Sequence, residues 1–463
     1  FRERSLVNHQ LASYNDCIPS TDNQRSRMER IISNIRVGTD EEIIDEHGGY
    51  IKLDVADQEI VIRMKNIKLG APNIREANGS YHNASPMECR LRKLTYQSPV
   101  TIDFTIWKNG VATFPEKDVQ VGAIPIMVRS KRCHLHPSHI ADRLLEPSKS
   151  PDDAATLAEK LREKGEDPLD PGGYFIINGT ERVLISMEDL APNRVTVEIN
   201  KRTAKRTEVA KIFSQKNGMR KPLTVEKRRD GMLMVKVSTA GTTPIPVVLL
   251  MRALGIENDQ EIFTAISGPQ ETFKFIVANI NEVNDNEEFY VKSEPEAYEW
   301  LQKKFAAGQQ KEYREARVNQ LLDRELLPHL GDQPEDRKKK AIFLGRIVRQ
   351  VLEMALNDKE PNDKDHYANK RVRLAGDLIE DLFRVSSGQL ARDLKYQLER
   401  HHNRKRELKI TSCLRPDVLS SKILHALATG NWVGGRSGVS QLLDRTTYLA
   451  SLSHMRRVTS PLV

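Results

Sequence analysis

Cysteine is scarce in this sequence, and the few that occur are scattered. The 463 residues include four, at Cys17, Cys89, Cys133 and Cys413. No two of them form a Cys-x-x-Cys pair, and their spacing suits neither a zinc site nor a disulfide framework. Free thiols in a reducing compartment are therefore expected, which predicts a cytoplasmic protein.

Long apolar runs are absent as well. No stretch approaches the ~20 consecutive apolar residues of a membrane span, and no secretory signal is visible, so no membrane partner is expected. The hydrophobic share of 38% and the charged share of 29% are typical of a soluble globular chain with about two to four domains. Because the sequence begins at Phe1 rather than Met and stops just after SPLV, we expect both ends to be trimmed.

Recognisable catalytic motifs are also few. The best candidate for a metal site is one local cluster, Cys133, His134, His136 and His139. This cluster follows an apolar run and lacks a second arm of ligands, so a metal-dependent hydrolase built on it is a weak interpretation. The glycine-rich turn Pro171–Gly173 lacks the Lys and the following helix of a phosphate-binding P-loop. Asp365 and His366 have no nucleophile beside them, and such a pair is more typical of a cap or turn.

The positive charge of the chain is concentrated in two blocks. Residues 201–230 hold eleven Lys and Arg against three acids, a net +8, and residues 401–463 hold ten against three, a net +7. Because the whole chain carries +8, the remaining residues have a net charge of −7. This distribution indicates a polyanion that is contacted at chosen places rather than everywhere.

Apolar patterning predicts an α+β protein of several domains, with mixed sheets and helices. Helices are predicted over 1–36 with a break at Pro19, over 151–168, 294–356 and 374–400, and just before Gly430, which has the position of a C-cap. Strands are predicted over 48–130, in a hairpin over 174–185 that turns at Asn178-Gly179, and in a curled sheet with a cationic face over 195–240, followed by a helix from Val247.

Two details of these elements are specific enough to check. An apolar stripe is expected to face the core: Ile342, Leu344, Ile347, Val351, Leu352 and Leu356. The cations Lys338–Lys340, which precede the stripe, are expected to face solvent. In the hairpin, Glu181 and Arg182 are expected to be exposed.

The stretch from Leu427 to Val463 combines three features. A turn comes first with Gly430, Gly434, Gly435 and Gly438, then leucines at helical spacing (Leu442, Leu449 and Leu452), then Arg456 and Arg457 before Pro461. Glycines allow positive φ and close approach to a partner, and arginines such as Arg436 and Arg445 suit phosphate oxygens. The residues alone fit either a glycine tip beside an arginine-bearing helix against nucleic acid, or a surface turn before an ordinary amphipathic helix.

The same stretch, GNW…GGRSGVSQLLDRTTYLASLSHMRRVTSPL, closely resembles the fork of the second-largest subunit of archaeal and eukaryotic-type multisubunit DNA-directed RNA polymerases. Similar segments occur in that family's order at about 124–136 (AIPIMVRSKRCHLH), 172–185 (GGYFIINGTERVLI), 244–262 and 363–376 (DKDHYANKRVRLAG). The resemblance therefore covers essentially the whole chain. The short loop Gly430–Gly438 favours the archaeal type. The chain resembles the N-terminal half of a subunit divided into two polypeptides, as in some archaea, where it is the B'' polypeptide, or a fragment of an intact subunit.

The resemblance implies a division of the chain. A protrusion would comprise residues 1–195 and 360–405, a lobe would be inserted at 196–359, and the fork would comprise 406–463. These parts would contribute to the DNA-binding cleft and to the fork near the active centre during transcription.

The resemblance also implies where the chemistry lies. In this family the aspartates that hold the catalytic Mg²⁺ belong to the largest subunit, and no DFDGD-like run occurs here. The chain is therefore expected to be a subunit of a nucleotidyltransferase, inactive when isolated and binding no cofactor itself. Its expected partners are the largest subunit, the C-terminal half of the second-largest subunit, template and non-template DNA, RNA and general transcription factors.

Together, the residues and the resemblance give candidate sites. Nucleic-acid contacts are assigned to Arg436, Arg456, Arg457, Lys370 and Arg371. The geometry of the fork is assigned to Gly434, Gly435, Gly438, Gln441 and Asp444. No catalytic or metal-binding residue is expected. The alternative, which the basic blocks alone would permit, is a free-standing nucleic-acid-binding protein outside any polymerase.

Overall fold

The structure is a computed structural model of the chain, and it divides into two compact units. It describes residues 6–19, 25–38, 48–53, 55, 59–136, 139, 153–200, 207–237, 243–286, 289–305, 308, 311–356 and 360–460. Unit 1 comprises Phe1–Asp189 and Val372–Val463, and unit 2 comprises Leu190–Arg371. Each unit has its own hydrophobic core.

The α-helices of the described residues follow in chain order. They are α1 (Asn8–Cys17), α2 (Arg27–Ser33), α3 (Pro86–Leu91), α4 (Asp153–Glu163), α5 (Val247–Ala253), α6 (Asp259–Ile266), α7 (Phe273–Asp285), α8 (Glu294–Phe305), α9 (Lys311–Gln320), α10 (Arg337–Ala355), α11 (Ala375–Asn403), α12 (Ile410–Cys413), α13 (Asp417–Thr429) and α14 (Tyr448–Met455).

The β-strands complete the inventory of regular elements. They are β1 (Arg36–Val37), β2 (Gly49–Leu53), β3 (Ile60–Leu69), β4 (Asn73–Arg75), β5 (Tyr81–Asn83), β6 (Gln97–Lys108), β7 (Val111–Ala112), β8 (Glu116–Pro125), β9 (Phe175–Ile177), β10 (Thr180–Leu184), β11 (Ser186–Leu190), β12 (Val195–Asn200), β13 (Thr207–Lys216), β14 (Met219–Lys227), β15 (Leu233–Val237), β16 (Ile245–Pro246), β17 (Lys370–Arg373), β18 (Ser440–Leu442) and β19 (Val458–Thr459). The α+β class predicted from the sequence is confirmed. No helix among the described residues has the length and apolar character to cross a bilayer.

Most of the strands predicted over 48–130 belong to the main sheet of unit 1. Its strand order is β1-β2-β3-β6-β7, with β8 also paired to β6. In β6 every second residue is buried, as expected for a strand with one face on a core. That core also contains residues of α1, α11 and α13. The short helix α3 interrupts this region, where the sequence indicated strands alone; Ser85 caps it by accepting a hydrogen bond from the backbone N–H of Glu88 over 3.1 Å.

The long helix α11 confirms the prediction over 374–400. Its 29 residues span about 43 Å, and the buried side includes Leu378, Leu382, Leu390 and Leu394. Its first turn lies against α1, where a Cβ at Gly376 would come within 2.0 Å of a backbone oxygen. A glycine is therefore required for this close crossing.

Unit 2 confirms the antiparallel sheet predicted over 195–240. Strands β12 to β16 pair in sequence order, and the following helix begins at Val247, as predicted. The expected cationic face is mixed instead, because three of its lysines pair with acids of the same sheet: Lys211 with Glu198, Lys227 with Glu208 and Lys236 with Glu226.

The apolar stripe of α10 is largely as predicted, but two of its positions and one cation differ. Ile342 is exposed and Leu356 is half-buried. Lys340, expected in solvent, is fully buried. Its ammonium donates to the carbonyl oxygens of Leu322 over 2.9 Å and Asp323 over 2.5 Å. Both carbonyls belong to a π-helical turn, and helix ends leave such oxygens without intrahelical partners. Burial of the ammonium lowers the pKa of Lys340 to about 8.

Candidate nucleic-acid interface

The fork segment begins where α13 ends at Gly430. This residue has φ +80°, and its N–H donates to the carbonyl of Ala426 over 2.8 Å, which confirms the predicted C-cap. A Cβ on Gly430 would lie 2.6 Å from the carbonyl oxygen of Ser440. The glycine therefore allows both the left-handed turn and the close return of the chain.

A tight loop follows and forms an exposed tip at residues 433–438. The N–H of Trp432 donates to the carbonyl of Arg436 over 2.7 Å. Between them, Gly434 and Gly435 have φ of +82° and +74°. A Cβ on either would meet nothing within 4 Å, so the backbone conformation, and no close neighbour, favours glycine here. The same is true of Gly438, with φ +72°.

Trp432 anchors the tip to the core of unit 1. Its side chain is buried, and its indole Nε1 donates to the carbonyl of Leu378 in α11 over 3.0 Å. A large buried aromatic with its N–H satisfied contributes several kcal/mol to packing, on the order of 3. The tip is therefore exposed at its end and fixed at its base.

Strand β18 ties the fork to the Asn178-Gly179 hairpin. Asn178 and Gly179 have φ of +49° and +78°, the signature of the predicted tight hairpin turn. Strand β10 of this hairpin pairs with both β9 and β18, and Leu184 lies opposite Ser440. Leu442 therefore lies on a strand, although its spacing indicated a helix. The expected arginine-bearing helix is α14, which contains no arginine.

Arg436 is held by a carboxylate of unit 1. Its Nη2 donates to Oδ2 of Asp189 over 3.0 Å, and a second guanidinium, that of Arg373, lies 3.9 Å from the same oxygen. Because Arg436 is only 28% exposed, this contact positions its side chain under the tip. This geometry braces the loop, and it leaves fewer N–H groups of the Arg436 guanidinium accessible to a phosphate.

Arg445, which follows β18, joins a partly buried ionic network. It donates twice to the carboxylate of Glu181, over 2.6 and 2.9 Å, and its guanidinium lies over the ring of Tyr174, 4.9 Å from the centroid. Arg90 donates to the same carboxylate over 2.9 Å and to the Tyr174 hydroxyl over 2.7 Å. Glu181 was expected to be exposed, but two arginines cover it. Burial alone would raise the pKa of Glu181, and these cations outweigh that effect and lower it.

Gln441 and Asp444 make their contacts inside the segment. The N–H of Asp444 donates to Nδ1 of His454 over 3.2 Å. The ring proton is therefore on Nε2, which donates to Oε1 of Gln441 over 3.0 Å. The Asp444 carboxylate accepts from the N–H and hydroxyl of Thr446, and these bonds lower the pKa of Asp444. Burial, with the charge of Arg457, lowers the pKa of His454, consistent with a neutral ring.

The paired arginines differ from each other. Arg456 donates to the carbonyl of Leu6 over 2.8 Å, and so ties the end of α14 to the beginning of α1. Arg457 is exposed, and within the described part of the chain its guanidinium makes no hydrogen bond or ion pair. Of the three fork arginines assigned to nucleic acid, Arg457 therefore has the most accessible charge.

Lys370 and Arg371 lie in unit 2, at the start of β17. The Lys370 ammonium lies 3.9 Å from the Asp365 carboxylate and 5.7 Å from the ring centroid of Tyr367. Arg371 is exposed, and its Nη1 donates to the carbonyl of Lys370 over 2.8 Å. Nearby, the Nδ1 of His366 accepts from the N–H of Ala368 over 3.1 Å, which is the capping role that the sequence favoured.

The groups considered as metal ligands have other partners. The Tyr96 hydroxyl donates to the sulfur of Cys133 over 3.5 Å, and Nδ1 of His134 lies 2.7 Å from the carbonyl of Ala84. Among the described residues, the possible metal-ligand atoms of Glu76, His82 and Glu88 do lie within 4.8 Å of one another. Both carboxylates, however, accept from the guanidinium of Arg92 over 2.7 to 3.0 Å. The Arg92 guanidinium therefore already compensates the charge of both carboxylates.

Sequence reasoning missed two features of this site. The pairing of β10 with β18 and the Arg445–Glu181 contact both join residues about 260 positions apart. Local periodicity carries no information on such partners. The one available signal was that both segments resembled the same family strongly.

Comparisons with known proteins agree with the segments described above. A family model described as RNA polymerase beta subunit matches residues 5–421. DNA-directed RNA polymerase subunit Rpo2N of Methanocaldococcus jannaschii is 43% identical over 467 residues, which cover 100% of this chain and 85% of that protein. Rpo2N of Halobacterium salinarum is 42% identical, over 89% of this chain and 76% of that protein. Subunit Rpo2 of Saccharolobus solfataricus is 41% identical over 100% of this chain, which spans 37% of that longer protein.

Proposed function

We propose that this chain, which belongs to the RNA polymerase beta subunit family, serves as the N-terminal part of the second-largest subunit of an archaeal-type DNA-directed RNA polymerase. Its strong similarity to Rpo2N proteins supports the divided form of that subunit. The assembled enzyme transfers nucleotides in the cytoplasm, and the isolated chain does not. This family membership does not favour a free-standing nucleic-acid-binding protein.

Within this function, unit 1 would supply the protrusion and the fork, and unit 2 the lobe. The proposed protrusion segments 1–195 and 360–405 enclose the proposed lobe, 196–359, in the chain. The two-unit division with an inserted middle segment supports this order. The fork, 406–463, shares its core with the protrusion segments, which would make it a rigid mount for the tip.

The exposed but anchored tip is the observation that carries the proposed mechanism. In the assembled polymerase, residues 433–438 would lie near the downstream edge of the melted DNA. Buried Trp432 and the Arg436–Asp189 contact would hold the loop against the separating strands. Because these contacts already fix the loop before DNA binds, binding would cost little conformational entropy. Arg457 would be the fork's phosphate contact, with Arg456 fixing the helix end behind it.

The rest of the assembly would supply the catalytic chemistry. Carboxylate oxygens are the ligands that Mg²⁺ prefers, and the one carboxylate and imidazole cluster of the described residues already holds Arg92. Our proposal is that this chain holds no metal and that the largest subunit holds the catalytic Mg²⁺. The C-terminal half of the second-largest subunit, template and non-template DNA, RNA and general transcription factors are the other proposed partners. Lys370 and Arg371 are proposed as backbone contacts from unit 2.

Reconstitution tests this proposal. The chain would be combined with the largest subunit, the C-terminal half of the second-largest subunit and the small subunits of an archaeal polymerase. We expect it to co-elute with them on size exclusion, and RNA synthesis to require it. An active assembly that forms without this chain, or a chain that never joins the larger subunits, would contradict the proposal.

A further inference from the structure

The outer side of α11 carries a stripe of unpaired cations around an exposed tyrosine. Arg392, Tyr396 and Arg400 of α11, and Arg404 just after its end, follow one another at four-residue spacing, and all four are exposed. Residues four apart are neighbours on a helix surface, and the stripe extends over about 18 Å at 1.5 Å per residue. The opposite side of α11 faces the core of unit 1.

The cations of this stripe have no partner within the described part of the chain. No ion pair or side-chain hydrogen bond is found for Arg392, Arg400 or Arg404. The acids of the same helix are engaged elsewhere: Glu399 lies 3.7 Å from Lys395, and Asp393 binds Arg415. Positive charge is therefore left uncompensated along the stripe.

Three described lysines of the other basic block differ from the stripe, because they do have partners. In residues 201–230 the lysines Lys211, Lys216 and Lys227 all pair with carboxylates. Two further cations, Lys405 and Arg406, extend the stripe just beyond the helix end and are exposed. Five exposed cations, Arg392, Arg400, Arg404, Lys405 and Arg406, therefore lie within 15 residues of the chain.

A structural role explains only the end of the stripe. Cations in the last turn of a helix interact favourably with the helix dipole, and this effect fades within one turn. It would account for Arg400 and Arg404, but Arg392 lies three turns from the helix end. The dipole also gives no reason for Tyr396 to stand 59% exposed between two arginines.

We infer that the stripe Arg392–Tyr396–Arg400–Arg404 is a binding surface for the phosphodiester backbone of nucleic acid, separate from the fork tip. Guanidinium forks match phosphate oxygens, and an aromatic between them offers a stacking face for an unpaired base. An acidic polypeptide would pair with the arginines, but it would offer no base to stack on the ring of Tyr396. The inference rests on the proposed function for its biological setting, since a polymerase brings nucleic acid to this subunit.

Salt-dependent binding by the full chain tests the inference. The probes are a fluorescent DNA duplex and one of its strands alone. The variant Arg392→Gln/Arg400→Gln/Arg404→Gln removes three charges, and each phosphate interaction that is removed lowers the slope of log affinity against log salt by about 0.9 for duplex and about 0.7 for single strands. We expect slopes lower by about 2.7 and about 2.1. Tyr396→Ala is expected to weaken single-strand binding about tenfold or more and duplex binding less.

A matched control removes three exposed cations that do have partners: Lys68→Gln/Lys303→Gln/Lys339→Gln, whose lysines pair with Asp118, Glu299 and Asp336. Its net charge equals that of the stripe variant, and its slope is expected to fall by less than about one unit. Circular dichroism checks that both variants stay folded. Equal slopes for the two variants would overturn the inference, and so would competition by poly-L-glutamate as strong as that by the duplex.

The same variants separate this inference from the proposed function. If a reconstituted polymerase carrying the stripe variant keeps the wild-type salt dependence of DNA binding, the stripe does not bind DNA, while the function stands. If the chain does not join a polymerase but the slope of the stripe variant falls as expected, the proposed function fails and the binding surface remains.

Discussion

The guanidinium of Arg436 and the carboxylate of Asp189 meet over 3.0 Å beneath the exposed tip of the fork. The two residues are 247 positions apart, and Asp189 stands at the last position before unit 2. The tip is therefore braced by the segment that leads out of unit 1. From this contact we propose a positioning role for Arg436.

Removing either partner is expected to loosen the tip without unfolding the chain. For a partly exposed pair the contribution is about 1 kcal/mol, so Arg436→Ala should lower the free energy of unfolding by about that amount. Asp189→Asn should cost more, since it also affects Arg373 at 3.9 Å. In a reconstituted polymerase, Arg436→Ala should shorten the lifetime of the open complex.

A double-mutant cycle on urea unfolding measures this coupling. Simple additivity of Arg436→Ala and Asp189→Asn would show that the two side chains do not act together. An unchanged open complex at physiological salt would count against the positioning role of Arg436.

Two glycines of the fork should respond differently to a methyl group. Gly434 and Gly430 both have positive φ, and an alanine there costs about 1–2 kcal/mol of backbone strain. Only at Gly430 would the new Cβ also meet the Ser440 carbonyl oxygen at 2.6 Å. We expect Gly434→Ala to lower the free energy of unfolding by about 1 kcal/mol and Gly430→Ala by at least twice as much. Equal losses would mean that the close return of the chain at Gly430 is not maintained in solution.

Glu181 should make the stability of unit 1 depend on acid pH. Its pKa is lowered in the folded state, where Arg445 and Arg90 outweigh burial. A carboxyl group with a lowered folded pKa stabilises the fold above its unfolded pKa, and this stability is lost as the pH falls through the folded value. Wild type should therefore exceed Glu181→Gln by about 2 kcal/mol at neutral pH, and the difference should shrink steadily below about pH 4.5. A difference that does not change with pH would contradict this assignment.

Lys340 should make stability depend on pH in the alkaline range, and stability should rise with pH there as it does for Glu181. Burial lowers its pKa from 10.5 to about 8, so between these values the unfolded chain binds more protons than the folded chain. Stability then rises with pH. Relative to Lys340→Met, wild type is expected to gain up to about 3 kcal/mol of unfolding free energy between about pH 8 and about pH 10.5. Urea titrations of both proteins across that range measure it, and a flat or falling difference would refute the buried charge.

Elements with a local signal were predictable from the sequence. The Asn178-Gly179 turn, the C-cap at Gly430 and the core-facing side of α11 all follow from the residues themselves, through φ preference or helical spacing. The features that were missed depend on distant partners. Lys340 looks like part of a solvent-facing lysine run until the π-helical turn at Leu321–Glu325 presents its carbonyls.

The candidate site shows the same limit. The glycines at the tip could be predicted because positive φ is a local property. The separation of Arg436, Arg456 and Arg457 into two braced residues and one with an accessible charge could not, since it depends on Asp189 and on the Leu6 carbonyl. The spacing of three leucines predicts a helix at Leu442, but this residue pairs with β10 and lies on a strand.

Cross-linking from the tip tests the central claim most directly. All four native cysteines are buried, so Ser437→Cys on the exposed tip gives one accessible thiol for a photoactivatable label, with Ser453→Cys on α14 as the matched exposed control. In a reconstituted, transcribing polymerase, the label at position 437 is expected to cross-link promoter DNA at the downstream edge of the melted region, and more strongly than the label at 453. A polymerase that transcribes normally but gives no DNA cross-link from position 437 would contradict the account.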